Sequence, residues 1–451
     1  MSSSESAVEL SNTRLGETLL PWAKQKRWWP TSSEATASVS EVLSLSSSSS
    51  SGDSHVIIAL LRPEGLDLLI QVPLLLLGDN HDPRGEVIGT VGDYRVVDGV
   101  AEPEFWTAWA DNASVMAPEG STKEESRSFL RAAVRIVQPL GVEQSNSSVL
   151  LLGADRPLIA KVYRALQGGL HPEIEIPLAL DGWRGVPRLW AYYNLEPKGL
   201  TKPTCSAVVT DAVEHAEDGA VTLRAMANRG EDPSNVAFEI GALIADMHNR
   251  LEAELGAAPG PSNAEMKDRL ETALRTTMAT TDALSTDDVG ALRATIEELT
   301  KYPSSTSEGE DATEPKAIRV HGDLHLGQLL RGADGKWNVV DFEGEPLRML
   351  SERRMPDSPA RDIAGMLRSF GYASDSDGLA RPSWLATARA SFVDGYQSVR
   401  PISDSELLTI RAYELDKALY ELQYEAQFRP NWVRIPMSAL RSLTGRTADK
   451  S

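Results

Sequence analysis

One run, Val320-His321-Gly322-Asp323-Leu324-His325-Leu326-Gly327-Gln328, constrains this chain more than any other. A second acidic element, Val339-Val340-Asp341-Phe342-Glu343-Gly344-Glu345, follows a short way downstream. Phosphoryl transfer needs a hydroxyl nucleophile, Mg²⁺ and a triphosphate held in line. A recurring solution is a loop Asp, an amide side chain shortly after it, and a metal-binding Asp on a following strand. Asp323, Gln328 and Asp341 stand in that order and at the spacing this solution uses. A bare His-x-Asp tripeptide carries little information. The amide at the right offset, followed by a hydrophobic strand ending in Asp, makes the set specific.

Each residue of the set has a chemical reading. Asp323 is the expected catalytic base, placed to orient the nucleophile's hydroxyl and accept its proton. Gly322 permits a sharp backbone turn beside it. His321 and His325 are expected to fix the loop through hydrogen bonds. Gln328 and Asp341 offer hard oxygen donors to Mg²⁺, and Glu343 is a further candidate ligand. For Glu345 a salt bridge to Arg353 or Arg354 is the better expectation. Upstream, Lys161 lies in the apolar strand Leu158-Ile159-Ala160-Lys161-Val162-Tyr163. A lysine buried in such a strand requires a partner; a phosphate together with Glu175 or Glu173 would supply it. Gln144, Ser145, Asn146 and Ser147 precede the neighbouring strand, and their donors suit a covering for nucleotide phosphates.

The chain has 451 residues, with 45 basic against 65 acidic side chains and a net charge of -20. So acidic a surface argues against nucleic acid or an anionic membrane as partner. A phosphate site must then be a local cluster of donors and metal. Cys205 is the only cysteine, which removes internal disulfides and fits a reducing, cytoplasmic setting. The first ten residues carry no apolar signal core. The most apolar run, Leu66 to Leu77, is too short and too interrupted to span a bilayer; it reads as two buried strands meeting at a bend. A monomer or weak oligomer is expected.

Three regions follow from pattern: a cap over 1–110, a nucleotide-binding segment over 111–212, and a helical region over 213–451. The first holds Trp22, Trp28 and Trp29 and the strand-like Val56 to Leu61, with a polar tract from Ser46 to Ser51 read as a loop. In the second, a hairpin is predicted across Gly153-Ala154-Asp155, with a further strand at Ala207 to Thr210. In the third, Val236, Ile240, Leu243 and Met247 predict a buried helical stripe. Further helices are predicted over 264–277, 286–301, 359–370, 383–398 and 404–427, and Ser304 to Glu314 reads as a solvated loop. The result is an α+β, bilobal chain with an extra subdomain in front.

The last long helix carries an apolar stripe through Leu408, Ala412, Leu415, Leu419, Leu422 and Ala426. Tyr413, Lys417, Tyr420 and Tyr424 repeat on an adjacent face, bordered by Asp416 and Glu421, with Trp432 just beyond. Aromatic faces flanked by charges suit sugars. On physics alone the ordinary reading, an amphipathic rim of packing residues, is the stronger.

With these runs in hand the chain resembles the actinobacterial maltokinases, sugar kinases of the aminoglycoside-phosphotransferase-like, protein-kinase-like fold. The resemblance rests on Glu143 to Val149, Arg319 to Arg331, Val340 to Phe370 and Ala412 to Pro436, and spans most of the chain from about 130 onward. It implies transfer of the γ-phosphoryl group of ATP to the anomeric hydroxyl of maltose with Mg²⁺ as cofactor. Maltose 1-phosphate would then serve glycogen or related α-glucan synthesis, beside a trehalose synthase as possible partner. Carried over, Lys161 matches the ATP lysine, Asp323 the base, Gln328 and Asp341 the metal ligands. Tyr413, Lys417, Tyr420 and Trp432 match the sugar side, with Glu421 beside them. A closely similar group phosphorylates glucosamine, whose ammonium would take a carboxylate such as Glu414, Asp416 or Glu421. A third reading, a non-catalytic scaffold, is opposed by the intact Lys161, Asp323, Gln328 and Asp341.

Overall fold

The computed structural model describes residues 12–30, 35–47, 54–78, 82–141, 145–301, 316–345, 348–375 and 378–446. Most of the Ser46 to Ser51 tract, the Ser304 to Glu314 segment and Gln144 lie outside them. The chain divides into two compact units, the first comprising mainly 1–181 and 187–214, the second mainly 215–348 and 352–451, with 182–186 joining the second.

In the first unit helix α1 (Asn12–Ala23) precedes strands β1 (Ala37–Ser44), β2 (Ser54–Pro63), β3 (Leu69–Leu77), β4 (Val87–Val91) and β5 (Tyr94–Asp98), which form a sheet in the order β1-β2-β3-β5-β4. Helices α2 (Pro103–Asn112) and α3 (Lys123–Ala133) lead to a second sheet of β6 (Ser114–Val115), β7 (Val137–Pro139), β8 (Asn146–Leu151), β9 (Leu158–Tyr163), β11 (Leu189–Leu195) and β12 (Thr204–Asp211). Its order is β6-β11-β12-β9-β8-β7, and helix α4 (Pro172–Ala179) follows β9. The predicted hairpin is β8–β9, with Ser148 opposite Lys161.

In place of two strands meeting at a bend, the run Leu66 to Leu77 forms one strand, β3, from Leu69 to Leu77 and buried at every one of those positions. It tolerates Pro73 because its second edge is shared. The short strand β10 (Ala165–Leu166) pairs with Leu69 and Ile70, and β5 pairs from Leu74 to Leu77, so Pro73 falls in the gap where no N–H is needed. Trp106, Trp109 and the inner faces of both sheets share one core, while Leu15, Leu19, Trp28 and Trp29 fill another on the far side of the first sheet. Gln71, fully buried, joins the sheets: its amide donates to the Ser206 carbonyl at 2.6 Å and accepts from the Ser206 hydroxyl at 2.8 Å.

The second unit is mostly helical. Helices α5 (Gly219–Arg229), α6 (Ser234–Leu255), α7 (Asn263–Thr280) and α8 (Thr286–Lys301) come first; after a one-turn α9 (Leu350–Arg353) come α10 (Ala360–Ser374), α11 (Pro382–Gln397), α12 (Asp404–Phe428) and α13 (Arg434–Leu443). Short strands β13 (Glu217–Asp218), β16 (Leu329–Arg331) and β17 (Trp337–Val339) form a small sheet, and β14 (Ala257–Pro259) pairs with β15 (Lys316–Ile318). The five helices predicted here coincide with α7, α8, α10, α11 and α12 to within a few residues. The stripe on α6 is rotated from the expected one. Ile240 and Met247 are buried, but Ala237, Ile244, His248 and Leu251 complete the face, leaving Val236 and Leu243 at its margin. Close packing on α11 sets that rotation. A Cβ on Gly241 would lie 2.0 Å from the Phe392 carbonyl oxygen, and one on Gly395 2.1 Å from that of Phe238. Among the described residues no helix is long and apolar enough to cross a membrane.

This contact makes a signed prediction. Gly241→Ala should destabilise the protein by about 1–3 kcal/mol by forcing α6 from α11. Gly290→Ala, in α8 with open space around it, should stabilise by about 0.5–1 kcal/mol through helix propensity. Urea unfolding of the two variants, followed by far-UV circular dichroism, checks both signs.

Candidate active site

The site in the second unit is built on the loop that follows β15. A turn with Gly322 at φ 88° exposes backbone N–H groups that need acceptors. Asp362, on α10 and 1% exposed, takes two of them: His321 N donates at 2.8 Å and Gly322 N at 2.9 Å. The His248 Nε2 lies 3.1 Å from the same carboxylate, and its Nδ1 lies 2.8 Å from the Tyr396 hydroxyl. Burial pushes Asp362 up, yet His248, His321 and the Gly322 amide outweigh it and hold its pKa at about 2. Close approach of α10 is possible because Gly365 has no side chain; a Cβ there would sit 2.3 Å from the Leu324 carbonyl oxygen.

His321 ties the loop to the next element. Its Nε2 donates to the Val340 carbonyl at 3.0 Å, and its Nδ1 accepts from Asp323 N at 3.4 Å. His325 accepts from Gly327 N at 3.1 Å, and burial holds its imidazole below the usual pKa. Both histidines thus have the loop-fixing role expected of them.

Asp341 follows directly, in the left-handed region at φ 67°. A non-glycine residue there carries strain that functional sites commonly hold. Gln328 and Asp341 meet, Nε2 to Oδ2 at 3.1 Å. Asp341 and Glu343 each offer a carboxylate oxygen, these being within 4.8 Å of one another. The donor set is hard oxygen throughout and fits Mg²⁺, which these three residues would hold.

Asp323 faces α12. The Lys417 Nζ lies 3.1 Å from its Oδ1, and the two side chains keep 25% and 24% of their surface accessible, enough to meet a substrate. Burial pushes Asp323 up, but Lys417, His325 and His321 more than offset it, so its pKa is lowered. Lys417 begins a ladder of alternating charge. Glu345 lies 3.9 Å from it, Arg361 3.1 Å from Glu345, and Asp357 3.1 Å from Arg361. Arg269 closes the series, 3.7 Å from Asp357 and 2.6 Å from Asp416. Glu345 makes an ion pair as expected, but with Arg348 and Arg361 in place of Arg353 or Arg354.

In the first unit Lys161 pairs with Glu173 at 3.2 Å. Glu173 is one of the two carboxylates expected beside this lysine; Glu175 lies half-buried one position beyond Ile174 in the first turn of the same helix. The β8–β9 register sets Asn146, Ser147 and Ser148 on the strand beside Lys161. Ser145 is exposed, and Ser147 accepts from Arg164 Nε at 2.9 Å.

The aromatic face predicted on α12 is only partly present. Tyr413 is 2% exposed and donates its hydroxyl to Asp357, so it packs inward. Glu421 is engaged by Arg368 at 2.6 Å, and Trp432 stacks on Tyr372 with ring centroids 6.0 Å apart. Tyr420 and Tyr424 are exposed, and the Lys417 ammonium lies over the Tyr420 ring. Four-residue spacing groups side chains on one face but does not say which neighbour that face meets. Asp362, His248, Asp357, Arg361 and Arg269 were missed by sequence reasoning. The available signal was an aspartate leading into the apolar Ile363-Ala364-Gly365-Met366-Leu367 run, since a buried acid demands donors.

Asp362 should couple stability to pH. Its folded pKa is depressed, so its contribution is full above about pH 4 and is lost as pH falls toward 2. Asp362→Ala should cost about 3–5 kcal/mol at pH 7 by stripping a buried network of its acceptor. Denaturant melts at pH 7 and pH 3 should show that cost shrinking at the lower pH.

A model of the phosphotransferase enzyme family matches residues 136–402. The chain is 29% identical over 352 residues to the glucosamine kinase of Mycolicibacterium smegmatis, covering 72% of this chain and 84% of that protein. It is 27% identical over 285 residues to the glucosamine kinase of Streptacidiphilus jiangxiensis, covering 59% and 56% respectively. Among solved structures, a glucosamine kinase in complex with glucosamine, ADP and inorganic phosphate superposes with a TM-score of 0.62 at 22% identity, over 94% of this chain and 98% of that one. The α+β, protein-kinase-like fold is therefore the one expected, and the chain belongs to the phosphotransferase enzyme family.

Proposed function

We propose that the protein transfers the γ-phosphoryl group of ATP to a hydroxyl of a small sugar, and that this acceptor is an amino sugar of the glucosamine class. The observation that carries the reaction type is the catalytic loop itself: Asp323 faces Lys417, and Gln328 meets Asp341 five residues after the base. The likeness to proteins named glucosamine kinase supports the acceptor.

In this reaction the acceptor O–H proton passes to Asp323. The acceptor oxygen bonds to the γ-phosphorus, and the bridging oxygen leaves with ADP. Mg²⁺ held by Gln328, Asp341 and Glu343 would neutralise phosphate charge. Lys161, positioned by Glu173, would bind phosphate oxygens, and Ser145, Asn146 and Ser147 would lie along them.

A second reading, maltose phosphorylated at its anomeric hydroxyl, is favoured by one observation. The three carboxylates of α12 suited to an ammonium are each already held by an arginine. Glu414 is bound by Arg389 at 2.7 Å, Asp416 by Arg269 at 2.6 Å and Glu421 by Arg368 at 2.6 Å. A neutral sugar needs no such partner. On this reading the product would serve α-glucan synthesis, with trehalose synthase as the source of maltose.

Purified protein with Mg-ATP and a panel of glucosamine, maltose, glucose and an aminoglycoside separates the readings. Glucosamine turnover well above that of maltose is expected; the reverse would transfer the assignment to maltose, and no turnover of any sugar would point to a scaffold. Asp323→Asn should lower kcat by about 10²–10⁴-fold while ATP binding, measured by calorimetry, stays close to that of the unaltered protein.

A further inference from the structure

Within the second unit the base is held from only one side. Among the described residues Lys417 is the one hydrogen-bond donor to the Asp323 carboxylate, and it reaches Oδ1. Asp323 sits on a loop, whereas Lys417 projects from a 25-residue helix whose neighbouring Leu415, Ala418 and Leu419 are fully buried. The lysine is in turn confined by Glu345 at 3.9 Å and by the Tyr420 ring 5.3 Å below its ammonium. Glu345 is itself fixed by Arg348 and Arg361. A rigid cation thus grips one oxygen of a carboxylate that its own loop would leave free to rotate.

We propose that Lys417 is a positioning residue for the phosphoryl transfer described above: it pins Oδ1 of Asp323 and leaves Oδ2 to receive the acceptor hydroxyl. This rests on the kinase reading but not on which sugar is the acceptor. It also departs from the sugar-contact role that the family resemblance gives this lysine. In the step, the acceptor O–H bond breaks as its proton passes to Oδ2, the acceptor oxygen bonds to the γ-phosphorus, and the bond to the bridging oxygen of ATP breaks. The proton left on Asp323 faces an ammonium that favours the carboxylate, so it departs to solvent and the base is restored. The titratable and charged groups that face Asp323 are Lys417 and Tyr420 from α12, Glu345 from the segment after Asp341, and His325 and His321 from its own loop. Those around Lys417 are Asp323, Glu345 and Glu421. Removing the lysine therefore leaves no other permanent cation among the groups that face the base.

The test uses Lys417→Met and Lys417→Arg in the full chain. Lys417→Met should lower kcat by about 10²-fold, leave KM for the acceptor within about threefold of its starting value, and raise the acid limb of the kcat profile by about one to two pH units. Lys417→Arg should recover kcat to within about tenfold and return the acid limb, because a cation again reaches Oδ1. Titration of Asp323 by ¹³C NMR on aspartate-labelled protein gives the same shift without any turnover. If no sugar is turned over, the kinase reading fails while the titration still decides the Lys417–Asp323 coupling. An acid limb and Asp323 titration unmoved in Lys417→Met would overturn the proposal. So would a loss confined to KM, which would make the lysine a sugar contact. Should Lys417→Met not fold, as judged by near-UV circular dichroism, Lys417→Gln takes its place with the same expectations.

Discussion

The buried carboxylate of Asp362 holds the second unit's chemistry in place. An acid with 1% of its surface exposed is costly unless its oxygens are fully engaged. Here they receive the amides of His321 and Gly322 and face the ring of His248. These partners come from two directions, the loop that carries Asp323 and helix α6, and Tyr396 on α11 reaches the same cluster through His248. Loop position is thereby fixed to helix packing. The glycines at 241, 395 and 365 allow the helices and the loop to come close enough for those short bonds to form.

A second constraint is electrostatic. The chain carries a net charge of -20, yet beside Asp323 anions and cations alternate. Lys417, Arg361 and Arg269 alternate with Asp323, Glu345, Asp357 and Asp416 along one ladder. Desolvation would push each carboxylate toward the neutral acid, but the intervening cations keep Asp323 and Glu345 ionised. Because these pairs are partly buried, salt screens them less than it screens the acidic exterior.

How much was legible in the sequence depended on what fixes each feature. The nearness of Gln328 and Asp341 was readable because the spacing used for phosphoryl transfer brings an amide and a carboxylate together, and the two do meet. Helices α7, α8, α10, α11 and α12 were readable from periodicity. Periodicity did not reveal the partners. Tyr413 keeps the spacing of a surface face but turns inward to Asp357, and Glu421, offered to a sugar, belongs to Arg368. Asp362 passed unnoticed because an acid in a helix usually faces water; only its tertiary neighbours mark it out. In Leu66 to Leu77 the proline implied a bend, since a missing N–H is harmful in a central strand. What the sequence could not show was that β3 has two successive partners on one edge.

That divided edge bears on how the molecule could be dissected. Residues 165 and 166 complete the sheet begun by the first hundred residues, and Gln71 satisfies a carbonyl and a hydroxyl of Ser206 in the other sheet. A cut near 110 would therefore open a strand edge on one fragment and strand buried polar groups on the other. The leading segment is sewn into the first unit from a point later in the chain. Swapping it between relatives as a cassette would need the stretch around 163–166 and Ser206 to travel with it.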